Sequence, residues 1–497
     1  MATTITAPHR SPASIQANRY PIYLAGDWVH SSQPLEVRNP YNDDLIATTY
    51  QASREQLEQA ISAAENAFLT LRKTPTYERA AWLHGLSAKV QERRDDLAHL
   101  LAAEAGKPIR DAETEVERGA FTLQTAAEEA KRIEGDVLPL DLLASSKGRF
   151  GIVKRFPIGP IAGIAPFNFP LNLALHKIAP ALASGNPIVL KPASKDPLTL
   201  LTFAKFLDEV GVPKGAVSIL PMDRTVGDLM VEDDRFKLLT FTGSPDVGWD
   251  MKRRAGKKRV VLELGGNAGV IVDADADLDF AAGRIKPGAF GYAGQSCISV
   301  QRVFVLASVY DRFRDLVVAG AESLTSGDPL DRATDVGPMI DDKAARRTQD
   351  WVDQAAAQGA RVLTGGKADG RFFPPTVIEH APPDSLVCSR EVFAPVVVLS
   401  KVSSFGQAIA GINDSTFGLQ AGVFTNTLSH TLAAFEEIET GGVIVNDIPT
   451  YRIDHMPYGG VKDSGLGREG LRYAIQDMTE PRILVVNPLD SQAVTLD

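Results

Sequence analysis

Cys297, in Gly294-Gln295-Ser296-Cys297-Ile298, is one of two cysteines in a chain of 497 residues. It stands in a loop of small and polar residues ahead of the apolar run Val300-Gln301-Arg302-Val303-Phe304-Val305, where a substrate can reach a thiol. Upstream, Leu262-Glu263-Leu264-Gly265-Gly266-Asn267 offers a carboxylate beside two glycines. A thiol nucleophile with a base elsewhere in the chain is a pattern for covalent catalysis. Alone, a cysteine is usually a small buried hydrophobe. Its company decides between the two readings.

Four further segments supply that company. In Ala165-Pro166-Phe167-Asn168-Phe169-Pro170, the Asn168 amide either donates to a developing oxyanion or serves only as a turn residue. In Leu190-Lys191-Pro192-Ala193-Ser194, Lys191 ends a strand and either reaches cofactor ribose or phosphate or is a solvated surface lysine. Phe241-Thr242-Gly243-Ser244-Pro245-Asp246-Val247-Gly248 reads as strand, turn and helix. Backbone N–H groups and a serine hydroxyl at such a helix start suit a pyrophosphate, although no Gly-x-Gly-x-x-Gly follows a strand here. In Glu391-Val392-Phe393-Ala394-Pro395, two side chains two residues apart on an extended segment share a side. They clamp a ribose and a flat ring, or form a strand edge and a core.

These residues need elements to hold them. Residues 53–73 are expected to form an amphipathic helix with a Ser53/Gln56 capping box. A second helix is expected from Tyr77 to Ala105, closed by Gly106 and Pro108, and a third from Asp111 to Ile133. From about residue 150, short apolar runs alternate with helices. Expected strands are Ile161–Pro166, Pro187–Leu190, Ala216–Leu220, Leu238–Thr242 and Arg259–Leu264. The helix at 197–210 is expected to take Asp196 as N-cap and to end before Gly211. A second series has strands near 267–273, 301–307, 361–364, 395–401, 421–425 and 442–446. Such alternation predicts two α/β units with parallel sheets, changing over near Gly265-Gly266, with nucleotides at strand C-termini. The 134–158 segment reads as a projecting hairpin, and the late strand Arg482-Ile483-Leu484-Val485-Val486 is expected to pair either with it or across a subunit boundary.

Composition is that of a soluble globular protein, with 44% hydrophobic and 23% charged residues. A net charge of −10 argues against nonspecific nucleic-acid binding. No apolar run approaches the ~20 residues that span a bilayer. Two cysteines make no disulfide framework and point to the reducing cytoplasm. Residues 1–26 lack Asp and Glu and carry Arg10 and Arg19; they read as a disordered or wrapping tail, with a weak likeness to a transit peptide.

Together the motifs resemble the aldehyde dehydrogenase superfamily. Phe167-Asn168-Phe169-Pro170, Lys191-Pro192, Phe241-Thr242-Gly243-Ser244, Glu263-Leu264-Gly265-Gly266-Asn267, Gly294-Gln295-Ser296-Cys297 and Glu391-Val392-Phe393-Ala394-Pro395 occur in the family's order. Asn446 and Pro457-Tyr458-Gly459-Gly460-Val461-Lys462-Asp463-Ser464-Gly465 follow. The resemblance implies two doubly wound, Rossmann-type parallel-sheet domains and a small β oligomerisation element. Their bounds would be 1–124 with 148–264 for the cofactor, 265–476 for catalysis, and 125–147 with 477–497 for assembly as a homodimer or homotetramer. It implies NAD or NADP, a small-molecule aldehyde and no metal. Cys297 would form a thiohemiacetal and then a thioester, with Asn168 and the Cys297 N–H holding the oxyanion and Glu263 activating water. Phe167, Lys191, Ser194, Gly243, Ser244, Gly248, Leu264, Glu391 and Phe393 would contact cofactor. Ser194 departs from the glutamate of relatives strict for NAD, which makes NADP use an expectation. Ser296, Ile298, Arg452 and His455 are candidates for the substrate mouth, with His176 near the same tunnel. Cys388 matches no motif position and reads as structural. A CoA-acylating dehydrogenase is the alternative, disfavoured because such relatives commonly lack the base; a non-catalytic relative is a third.

Overall fold

A computed structural model describes residues 18–487. The first sheet has eight strands, in the order Gly465–Leu466, Arg259–Glu263, Leu238–Thr242, Ile161–Ile164, Ile188–Lys191, Val217–Ile219, Ile22–Leu24, Asp27–Val29. Its five central strands are parallel. Ile161–Ile164 is buried throughout, as expected of a strand covered on both faces. The second sheet has seven strands, in the order Arg361–Thr364, Thr376–Glu379, Val396–Val402, Arg302–Leu306, Gly269–Val272, Gln420–Phe424, Gly442–Val445. Only the Arg361–Thr364 edge runs antiparallel.

Three antiparallel strands, Asp136–Pro139, Phe150–Pro157 and Thr479–Val486, form a separate sheet. The expected hairpin thus pairs with the expected late strand. It leaves Val137, Leu142, Ile483 and Leu484 exposed.

Several expectations need correction. The helix expected from Tyr77 to Ala105 is two helices, Thr76–Glu92 and Arg94–Ala105. Arg93 between them leaves helical geometry, at φ −106° and ψ 24°. Asp196 does not cap the helix Leu198–Val210. The backbone N–H groups of Leu198 and Thr199 instead donate to the two carboxylate oxygens of Glu104, each at 2.7 Å. Glu104 comes from a different helix, so no local pattern announces it. Part of the expected N-terminal tail is structured: Ile22–Leu24 pairs with the edge of the first sheet. Residues 1–17 lie outside the described residues. Gly465–Leu466 returns to the first sheet, and Leu471 and Ile475 pack in the same core as its strands.

The helix Asn172–Ser184 lies at the centre of the first unit and is buried at every position. A helix apolar all round belongs in a core. This one also carries Asn172, His176 and Lys177 into that core, and each finds polar partners in the site.

Candidate active site

Cys297 follows a backbone that is left-handed at three successive residues, Tyr292 (φ 47°), Ala293 (φ 51°) and Gly294 (φ 66°). Only glycine adopts that region without cost, and such strain gathers at functional sites. Neighbours fix the turn. The Tyr292 hydroxyl donates to the Ala105 carbonyl at 2.9 Å, and Lys107 Nζ lies 4.5 Å from its ring centroid. The loop delivers Cys297 to the wall shared by two cavities.

The larger cavity, about 410 Å³, opens at the C-terminal ends of the first sheet's strands. Phe167, Asn168, Lys191, Gly243, Ser244, Glu263, Leu264, Glu391 and Phe393 line it with Cys297. The Ser244 side chain makes no capping hydrogen bond to its own helix, Pro245–Arg254. Its hydroxyl and the helix start are therefore available to a phosphate. Glu391 Oε1 accepts the Gly266 N–H at 2.9 Å, leaving its other oxygen for a ribose hydroxyl. Burial raises the Glu391 carboxyl to about 7, against the pull of that N–H and of Arg347. Phe393 is left-handed (φ 52°), so Glu391-Val392-Phe393 is not the extended segment the sequence suggested. The turn still brings Phe393 into the cleft, where it meets Phe167 edge-on at 5.9 Å. Burial also lowers the Lys191 ammonium from its usual range. These groups fit a nicotinamide dinucleotide.

Two expected cofactor residues are not in this lining. Gly248 lies beneath it, where a methyl group would come within 2.5 Å of Leu264 Cδ2. Ser194 stands one residue beyond Ala193, which does line the cleft, while Lys195 is drawn towards Asp341 at 3.5 Å.

The smaller cavity, about 180 Å³, lies on the other side of Cys297. Ser296, Ile298, Arg452 and Tyr458 line it, with Lys107 and Arg118. His455 does not: it is exposed, because the buried Asp454 faces inward and turns its neighbour out. Asp454 instead accepts from Arg118 at 2.7 Å, His176 at 2.9 Å and Asn172 at 3.2 Å. His176 thus belongs to the tunnel's supporting network.

The charged groups form a connected system. Arg452 Nη2 donates to Glu469 at 3.0 Å, and its guanidinium lies 3.7 Å from the Tyr458 ring centroid. Lys177 bonds Thr242 at 2.7 Å and Glu469 at 3.3 Å. Glu115 is ion-paired with Lys107 and also accepts the N–H groups of Leu171 and Asn172. That contact anchors the turn carrying Asn168. Asn168 is buried and donates one N–H to the Gln295 carbonyl at 3.1 Å, leaving a second. Glu263 is 3% exposed, yet neither carboxylate oxygen has a hydrogen-bond partner. Burial, then Glu469, holds its carboxyl well above the usual range, while Arg452 and Lys177 pull it down. Burial pushes the Cys297 thiol up to about 12, and a hydrogen bond to Tyr458 opposes this.

Sequence reasoning missed Lys177, Glu469, Glu115 and the role of Tyr458. Tyr458 stood inside a recognised motif. The others lie on helices or loops whose burial only the fold reveals.

A model of the aldehyde dehydrogenase family matches residues 28–484. The chain belongs to the aldehyde dehydrogenase family. A 3-sulfolactaldehyde dehydrogenase from Priestia aryabhattai is 43% identical over 474 residues, covering 95% of this chain and 99% of that protein. The crystal structure of aldehyde dehydrogenase 21 from Physcomitrella patens, in complex with the reaction product succinate, has TM-score 0.94 and 46% identity. It covers 96% of this chain and 100% of its own. The glyceraldehyde-3-phosphate dehydrogenase of Methanocaldococcus jannaschii, complexed with NADP, has TM-score 0.87 and 39% identity, covering 91% of this chain and 98% of its own. As an aldehyde dehydrogenase, the protein is an oxidoreductase using NAD or NADP. The CoA-acylating alternative is not favoured.

Proposed function

We propose that this aldehyde dehydrogenase oxidises a small anionic aldehyde to its acid through Cys297, with NADP accepted as cofactor. The observation that carries the reading is Cys297 in the common wall of the two cavities, with the unpartnered Glu263 carboxyl lining the cofactor side. Cys297 Sγ attacks the aldehyde carbon from the smaller cavity. The second Asn168 N–H and the Cys297 backbone N–H hold the oxyanion. One such donor contributes about 2.7–4 kcal/mol. Phe167, Glu391 and Phe393 would hold a nicotinamide in the larger cavity, where it would supply the hydride acceptor. The thioester left on Cys297 is hydrolysed by water that Glu263 deprotonates, and a raised carboxyl value suits a base working near neutrality. Lys191, Ser244 and Glu391 bind cofactor. Ser194, neutral and just outside the lining, puts no carboxylate against a 2′-phosphate.

The anionic substrate rests on Arg452. Its Nε makes no hydrogen bond, with Asp454 Oδ1 3.8 Å away, and the residue lines the aldehyde cavity. A substrate carboxylate, sulfonate or phosphate would take that N–H as a charge-assisted hydrogen bond. We assign 1–124 with 148–264 to cofactor binding, 265–476 to catalysis, and 125–147 with 477–497 to homo-oligomer assembly. A reducing cytoplasmic setting suits a reaction that needs Cys297 as a free thiol.

The test is reduced-nicotinamide formation by purified protein over anionic and neutral aldehydes of matched length, each with NAD and NADP. Turnover that favours anionic aldehydes and accepts NADP is expected. Cys297→Ala should abolish it; a variant that still oxidises aldehyde sinks the mechanism. Arg452→Met should raise KM for anionic aldehydes about tenfold or more, as loss of a charge-assisted bond requires, and change KM for neutral ones far less, any effect on those falling on kcat. Equal effects on both would remove the anion reading.

A further inference from the structure

Among the described residues the Cys297 sulfur has one hydrogen-bonding side chain, and it is not one of the groups assigned to the reaction above. The Tyr458 hydroxyl lies 3.0 Å from Sγ. Tyr458 is 3% exposed and lines the aldehyde cavity, not the cofactor cleft. Its ring is fixed from behind. The Arg452 guanidinium covers it at 3.7 Å and is itself held by Glu469 at 3.0 Å. Its backbone is tied on both sides to Glu469, through Tyr458 N–H to the Glu469 carbonyl at 3.0 Å and the reverse bond at 2.6 Å. Gly459 follows at φ 150° and stands against Glu263. The phenol is thus a rigidly held hydroxyl at the sulfur, in a wall that also carries Arg452.

We propose that Tyr458 is a catalytic residue: its hydroxyl donates a hydrogen bond to the Cys297 thiolate and holds the sulfur towards the aldehyde cavity. The inference rests on Cys297 being the nucleophile. With the thiol protonated, the S–H or the O–H can be the donor. When the thiol gives up its proton to solvent base, Tyr458 keeps its own and turns it to the sulfur; no other bond changes. Burial and the neighbouring sulfur keep the phenol well above its usual value, so it stays a donor at working pH. Hydrogen bonds to an ionised acceptor are about twice as strong as neutral ones, so the contact favours thiolate over thiol. The Arg452 face contact reinforces this by polarising the ring with a fixed positive charge. Arg452 thereby has two roles, one towards the substrate anion and one through Tyr458.

The test is the pH dependence of iodoacetamide alkylation of the full-length protein, resolved at each cysteine by peptide mass spectrometry. No substrate identity is needed. Because burial already pushes the Cys297 thiol up to about 12, the readout is the alkylation rate on the acid limb. In Tyr458→Phe that rate should fall about tenfold at each pH, equivalent to an upward shift of about one pH unit. Cys388 is the internal control, since it is buried and remote from Tyr458 in the second core; unchanged Cys388 labelling reports an intact fold. Replacing Tyr458 by 3,5-difluorotyrosine keeps the hydroxyl and makes it a stronger donor, so the acid-limb rate should rise. Should the phenylalanine variant misfold, this second variant decides. Acid-limb rates that match wild type in a folded variant overturn the proposal. A Cys297→Ala protein that still oxidised aldehyde would instead overturn the nucleophile assignment, a separate result.

Discussion

Under the proposed mechanism, Glu263 and Glu391 are two carboxyls of one cleft with different tasks. Glu263 has no hydrogen-bond partner and a carboxyl held well above its usual range, first by burial. Its base function should therefore appear as an acid limb in kcat displaced above the ordinary carboxylate range. Glu263→Gln should slow deacylation by 10²–10⁴, the usual worth of such a base. It should leave a burst of reduced nicotinamide and an acyl adduct on Cys297 that mass spectrometry detects; a uniform loss of burst and turnover would remove the base assignment. Glu391 keeps one oxygen on Gly266 and titrates near 7. The ionised form accepts ribose hydroxyls better, so cofactor binding should tighten as pH rises through about 7. Glu391→Gln should flatten that dependence in fluorescence titrations. Both glutamates were legible because each sits in a motif, Glu263 ahead of Gly265-Gly266 and Glu391 ahead of Phe393-Ala394-Pro395. Arg452 was visible only as a candidate, and His455, three residues on, was equally plausible until Asp454 turned inward and left it in solvent.

At the scale of elements, alternating apolar runs announced eleven strands of the two sheets, since a covered parallel strand is a short continuous hydrophobic segment. Thr376–Glu379 escaped, being four residues just after three of Phe373-Pro374-Pro375. The return strand Gly465–Leu466 escaped because two residues carry no pattern. The break at Arg93 lacked a proline or glycine to mark it. Most instructive is the helix Leu198–Val210. Local chemistry nominated Asp196 as its cap, and the fold uses Glu104, from Arg94–Ala105. Glu104→Ala should lower stability by about 2–5 kcal/mol, because two buried N–H groups lose their acceptors; calorimetry would measure it. Burial raises the Glu104 carboxyl to about 7, against those bonds. A folded value above the unfolded 4.5 means the associated stability is present below about 4.5 and lost as pH rises through about 7. Glu104→Gln should therefore reduce the fall in Tm between those two pH values; an unchanged fall would assign it to another group.

Across the whole molecule, the small sheet of 136–139, 150–157 and 479–486 leaves apolar side chains unburied. Ile483, Leu484 and Val485 are each more than half exposed, which a chain acting alone rarely tolerates in one patch. Replacing Ile483 and Leu484 by Asp should lower the assembly mass in sedimentation while circular dichroism stays that of the native fold; an unchanged mass would place the subunit contact elsewhere. The position of Cys297 has a consequence for traffic through the enzyme. On the proposed assignment each reactant has a cavity of its own, and Cys297 lines both. Neither reactant has to leave for the other to enter. A dead-end analogue filling the aldehyde cavity should then compete with aldehyde and not with dinucleotide, and initial-rate plots for the two should intersect. The acid can depart by its own cavity while the reduced dinucleotide is still in place.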